Sequence, residues 1–285
     1  MLRTTAKFLS VVLLSGLILS VAFGQGEKLR YQLAKGVTHQ YRVTSDSKVK
    51  SQMQGQDIQQ SLWSFYAISL TGQDVGKDGE IVCIVKIDSN LSKIDSPMMK
   101  DTNRVMKELN GKRSRLTISP IGKVLKTAVI DTVPPVPGMQ MMGPISAADI
   151  ARRLYMELPE KDVAVGGTWE QTRPDTSTMR GMKIISKPKT TFKVLGNEQN
   201  GGFDCVKISF EGTASVYGTG SQQGMEMVVD GTTKMKGTIY FATKEGMLVS
   251  VQQTTTSETN ISGTGEQMFS ATQSTTSTSK AILVK

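Results

Sequence analysis

Few residues in this 285-residue chain are of the types that do chemistry. His39 is its one histidine, and a lone imidazole acts as a general base or metal ligand only when partners surround it. Asp74, Asp78 and Glu80 could approach one cation, but their spacing is not that of a calcium loop, and acidic residues are ordinary in turns. Cys83 and Cys205 are an even pair, and a disulfide needs Cα atoms within about 7 Å with converging Cβ vectors. Aligning Val85-Lys86-Ile87 on Val206-Lys207-Ile208 sets the two cysteines on different faces, so the sequence predicts two buried thiols. The 16 methionines include Met98-Met99, Met139, Met141-Met142, Met225 and Met227. Thioethers bind copper(I) mostly with cysteine or histidine beside them, and more often fill adaptable apolar surfaces. There is no nucleophile elbow, phosphate-binding glycine loop or zinc-spaced histidine pair. The expectation is a protein that is not an enzyme and uses no cofactor.

The elements that would carry these residues occur twice. Phe65-Tyr66-Ala67-Ile68, Gly72 and Ile81 to Ile87 are matched by Thr191-Phe192-Lys193-Val194, Gly196 and Phe203 to Ile208. Each set is two β-rich runs joined by a polar Gly/Asn/Asp link, the mark of a hairpin. Gly36-Val37-Thr38-His39 matches Gly166-Gly167-Thr168-Trp169, which makes His39 the counterpart of a tryptophan and a packing residue. Gly72 to Gly196 and Gly122 to Gly246 are both shifts of 124 positions, and matching punctuation implies matching turns. The fold class expected is all-β with two short helices, in two similar antiparallel halves forming curved sheets or open half-barrels.

Arg3 and Lys7 precede an apolar run from Phe8 to Ala22, with small residues Ala22 and Gly24 before a cut, which describes a secretory signal peptide over residues 1–24. A span needs about 20 apolar residues, so the run predicts cleavage rather than anchoring, and an exported protein that is soluble once cut. Loss of Arg3 and Lys7 lowers the net charge from +9 to +7. Lys107, Lys112, Arg113, Arg115, Lys123 and Lys126 cluster, which reads first as a solvated surface that keeps a Ser/Thr-rich β-protein soluble and is compatible with peripheral contact with a membrane. Export and the scarcity of aromatics near these residues argue against nucleic acid.

Residues 25–133 form the first β-rich half and 160–285 the second, joined by a Pro/Met-rich connection and helix over 134–159. Ser96-Pro97 to Leu109, closed by Asn110-Gly111, has helix start and stop signals and a stripe of Met98, Thr102, Val105, Met106 and Leu109. A second helix begins at Ser146, with Asp149 placed for a capping box, and ends before Pro159. Thr219 to Asp230 reads as a loop. The Ser/Thr-rich end, Gln267 to Val284, reads as a strand with one wet face.

The Gly36 to Tyr41 opening, the Tyr66 to Ile87 hairpin, Ile118 to Val124, Leu158-Pro159 with Gly166 to Trp169, and Cys205 to Ile208 together resemble an uncharacterised family of exported bacterial proteins, a domain of unknown function spanning nearly the whole mature chain. More distantly, the architecture is similar to the open half-barrels of lipoprotein carriers. That resemblance implies no particular activity. The resulting expectation is a binding protein for a lipid or other hydrophobic ligand, held against Met98, Val105, Met106, Leu109, Met141 and Met142. The alternative is a structural or protein-interaction component of the cell envelope.

Overall fold

The computed structural model describes residues 26–53, 55–97, 99–133, 146–172, 174–179, 182–222, 225–264 and 268–284. Its strands are β1 (Thr38–Met53), β2 (Gln56–Val75), β3 (Ile81–Ser96), β4 (Met99–Arg104), β5 (Arg113–Ile118), β6 (Val124–Val129), β7 (Thr168–Thr172), β8 (Asp175–Met179), β9 (Met182–Asn200), β10 (Phe203–Gln222), β11 (Met225–Ala242), β12 (Met247–Thr264) and β13 (Phe269–Val284). They make one curved, open antiparallel sheet in the order β6-β5-β3-β2-β1-β13-β12-β11-β10-β9-β7, with β4 added to β3 and β8 to β9. The expected all-β class holds, and both halves belong to a single sheet. No helix among the described residues is long and apolar enough to cross a membrane.

The repeat read from the glycines is a repeat of topology. Strands β1, β2, β3, β5 and β6 have as counterparts β7, β9, β10, β11 and β12, and the two sets follow each other across the sheet with β13 between them. Six antiparallel steps separate β1 from β7, so counterpart strands point the same way and the halves are in tandem. Gly122 and Gly246, at φ 86° and 65°, close counterpart turns in the left-handed region that favours glycine. Both also back the same segment: a Cβ on Gly122 would stand 2.5 Å from the Tyr31 ring, and one on Gly246 2.6 Å from Gln32.

That segment, 26–37, straps the two halves together. The Glu27 amide bonds the Val163 carbonyl, the Tyr31 amide the Pro120 carbonyl, and the Gln32 amide the Gly246 carbonyl. Leu29, Tyr31 and Leu33 enter the core with Ile150, Leu154 and Leu158, over Ile68, Leu70, Cys83, Val85, Leu116, Ile208, Ile239 and Phe241 from the sheet. Burying each such side chain contributes roughly 1.5–3 kcal/mol. The Tyr31 ring meets Tyr155 and Phe241 edge-on at 5.0 and 5.1 Å. Helix α1 (Ala147–Ala151), continued by a 3-10 turn at Arg152–Leu154, has the expected capping box: Ser146 Oγ accepts from the Asp149 amide, and Asp149 Oδ2 from the Ser146 amide.

The helix expected from Ser96 to Leu109 is not formed. Strand β3 runs through to Ser96, which pairs with Met99, and β4 returns along β3 as far as Arg104 opposite Ser92. Pro97 thus sits in a hairpin turn instead of a first helical turn. Buried Asn90 then anchors the chain beyond β4, donating to the Met106 carbonyl at 2.9 Å and accepting from the Met106 amide at 3.0 Å, before a short 3-10 turn at Lys107–Leu109. The expected loop at Thr219 to Asp230 is also largely strand, since β10 and β11 pair up to Gln222 opposite Met225. The terminal strand stands as read.

Candidate ligand-binding face

The core occupies one end of the sheet, and the long strands continue past it as a two-faced ribbon. From Tyr41 and Val43 the core face of β1 continues through Ser45, Ser47, Val49 and Ser51, and its partners on β2 are Ser64, Leu62, Gln60 and Ile58. Along Phe269 to Lys280 residues alternate between half-buried and exposed without becoming buried, so this part of the sheet has one sheltered face and one wet face. Register extends that assignment from strand to strand. In stretches 44–53, 56–66, 89–96, 182–190, 211–222, 225–236, 252–264 and 269–280, every Asp, Glu, Lys and Arg is exposed and lies on the opposite face. Asp46, Lys48 and Lys50 do so on β1, Lys183, Lys187 and Lys189 on β9, and Asp230, Lys234 and Lys236 on β11.

The titratable groups on the core face are held neutral. Burial lowers the pKa of His39 and pushes the Cys83 thiol up to about 12. Burial also raises the phenols of Tyr31, Tyr41 and Tyr66, and the Tyr41 hydroxyl donates to the Leu248 carbonyl at 2.8 Å. Over these eight strands, therefore, this face carries no charge near neutral pH; at its margins the register sets Arg104 of β4 across from Ser92 and Asp175 of β8 across from Ser186. A charge brought into a low-dielectric contact costs several kcal/mol unless paired, so excluding charge is what contact with an apolar partner requires.

Two textures divide the face. Over β9 to β12 it is apolar, with Ile184, Val216, Met227, Val229, Met235 and Ile261, and glycine forms its floor: Gly212, Gly218, Gly231, Gly237 and Gly263 all lie on this side. Neighbouring side chains lie across them, Phe210 over Gly237 and Phe269 over Gly263, each pair directly opposite in the ladder. Aromatic rings shelter strand glycines in this way. The sheet curls here: β9 and β11, on either side of β10, come within 8 Å, whereas a flat sheet would hold them about 9.6 Å apart. Over β12, β13 and β1 the face is instead hydroxylated, with Ser47 donating to Ser277 at 2.9 Å and, at its border, Thr233 of β11 donating to Ser257 of β12 at 3.1 Å.

The residues expected to hold a ligand are scattered. Met106 and Leu109 are 2% and 1% exposed within the filled core, while Val105 is 48% exposed outside it. Met98, Met141 and Met142 lie outside the described residues. The lining that the sequence reading missed comes from β9 to β13, where the signal was present as charges spaced at even intervals along each strand. His39 and its counterpart Trp169 are both half-buried; Trp169 stacks on Phe192 at 5.0 Å and donates to the Glu157 carbonyl. Cys83 lies in the main core and Cys205 in a small cluster with Ala242, Met247 and Val249, both as free thiols. The acidic link is an ordinary turn, where the Gly76 amide bonds the Glu80 carbonyl.

On the opposite face a cleft of about 590 Å³ is lined by Glu170, Lys189, Glu211, Lys234 and Lys236. Its charges are open to water, and Lys189 pairs with Glu170 at 3.0 Å. Among the described residues no group of three His, Cys, Asp or Glu side chains is placed to hold a metal ion.

No protein-family model matches the chain, and no curated protein matches it in sequence. Among solved structures, one titled as lipid-protein interactions in lipovitellin aligns at TM-score 0.46 and 14% identity, covering 89% of this chain and 26% of that one. This chain thus spans about a quarter of the lipovitellin chain. Two Pseudomonas aeruginosa proteins, OccK11 (OpdR) and OpdQ, align at TM-scores 0.27 and 0.30 with 8% and 7% identity, covering 90% and 87% of this chain and 100% and 99% of theirs. These likenesses identify no site.

Proposed function

We propose that this is an exported, non-enzymatic binding protein that holds a neutral, partly apolar ligand against the core face of its sheet, an acyl lipid being the class that fits best. The observation that carries this reading is the complete segregation of charge to the other face over eight long strands. Solubility alone does not demand it, since a strand with two wet faces takes charges on both. The apolar, glycine-floored stretch of β9 to β11 suits a hydrocarbon chain. The hydroxyls of β12, β13 and β1 suit an uncharged polar head, which they can meet without burying an ion.

Gentle purification from an expressing cell, followed by mass spectrometry of the intact complex and of its organic extract, tests the proposal. The expected result is a neutral acyl lipid bound in stoichiometric amount. Protein that emerges free of lipid, and stays so after incubation with an extract of its own cell envelope, would remove the carrier reading.

A further inference from the structure

The two halves share a plan but differ on the face away from the core. There, in the first half, Trp63 and Phe65 stack with centroids 6.4 Å apart and planes at 7°. Leu91 stands directly across from Phe65 on β3, and all three are half-buried. Lys93 carries its ammonium 5.6 Å from the centre of the Trp63 ring. Farther along the same face are Arg42, beside Ala67, and Arg115, across from Ile84, both exposed. Of the acidic groups nearby, Asp88 is taken by Lys86 at 2.8 Å and Asp131 by Arg113 at 2.8 Å, leaving Asp46 beside Trp63 and Asp95 two residues beyond Lys93.

The fold does not require aromatic rings at these positions. On the counterpart strand β9 the same face carries Lys183, Lys187 and Lys189, all exposed. One repeat therefore builds this surface from lysine, and the other from stacked aromatics ringed by cations. Tryptophan settles at the level of lipid head groups, and Lys and Arg are drawn to anionic ones. We propose that this face docks on an anionic lipid surface, with Trp63 and Phe65 entering the head-group layer and Arg42, Lys93 and Arg115 meeting its phosphates. Because the core face lies on the other side of the same strands, docking leaves it free, and the inference stands whether or not a ligand binds there.

The chain has two tryptophans, so Trp169→Phe leaves Trp63 as the only reporter. The purified variant and the wild type would be mixed with vesicles of phosphatidylcholine alone and of phosphatidylcholine with phosphatidylglycerol, then sedimented. Binding is expected only with phosphatidylglycerol, weakening with salt, together with a blue shift of Trp63 emission and quenching by lipids brominated near the head group. Arg115→Gln, at an exposed site, should weaken binding about fivefold. Trp63→Lys with Phe65→Lys, which gives this face the lysine character of β9, should abolish it with the fold retained by circular dichroism. Equal sedimentation with both vesicle types, unmoved Trp63 emission in the pellet, or wild-type binding by Arg115→Gln would each overturn the proposal. Retention on heparin without vesicle binding would also overturn it, assigning the face to an acidic macromolecule.

Discussion

Tyr31, Tyr41 and Tyr155 meet around the strap, and burial raises the pKa of each phenol above its ordinary value. The folded state therefore favours their protonated form more strongly than the unfolded state does. Their contribution to stability is complete below the unfolded value, near pH 10, and is lost as pH rises beyond it. An alkaline titration followed by tyrosinate absorbance and far-ultraviolet circular dichroism should show these phenols ionising only as the sheet unfolds. Ionisation of all six tyrosines in a folded protein would contradict this. At this scale the sequence was informative where a residue had a counterpart. Trp169 marked His39 as a packing residue, and the offset of Cys83 from Cys205 separated the thiols. It was uninformative for Trp63 and Phe65, whose meaning appears only when register shows the same face of β9 carrying lysines.

Among the elements, the segment from Ser96 to Leu109 shows how local signals lose to pairing. A cap, a first-turn proline, an apolar stripe and a closing glycine all favour a helix, yet the segment instead continues β3 and returns as β4 along its edge. Met106 and Leu109 still reach the core because the 3-10 turn keeps them three residues apart. This settles what enlarging Met106 should do. In a filled core, Met106→Trp should overpack and cost about 1–3 kcal/mol in a thermal or denaturant melt while leaving ligand binding unchanged. An unchanged melt with weakened binding would restore a lid at that position. Strand lengths were underestimated for a related reason: beyond the core, Ser/Thr-rich stretches such as Thr254 to Thr259 lack the apolar alternation by which strands are recognised.

For the molecule as a whole, the tandem repeat was legible from glycine spacing, but its joining was not. Strands β1 and β13 come from opposite ends of the described chain and pair over fourteen residues, from Gln40 with Val284 to Met53 with Ala271. The strap adds bonds to a counterpart turn in each half. Residues 25–133 and 160–285 expressed separately would each expose a long strand edge and lose part of the core, so neither should show a cooperative, monomeric unfolding transition. Two such transitions would mean that the halves are independent domains. The neutrality of the core face is also a property of the eight long strands together, since no single strand reveals it. Its most direct test is titration of a neutral fluorescent acyl probe into wild-type protein, Val216→Lys and the control Thr213→Lys, which place one cation on opposite faces of β10. The account predicts saturable binding by the wild type and the control and its loss in Val216→Lys with the fold intact; no saturable binding by the wild type, or equal binding by all three, would contradict it.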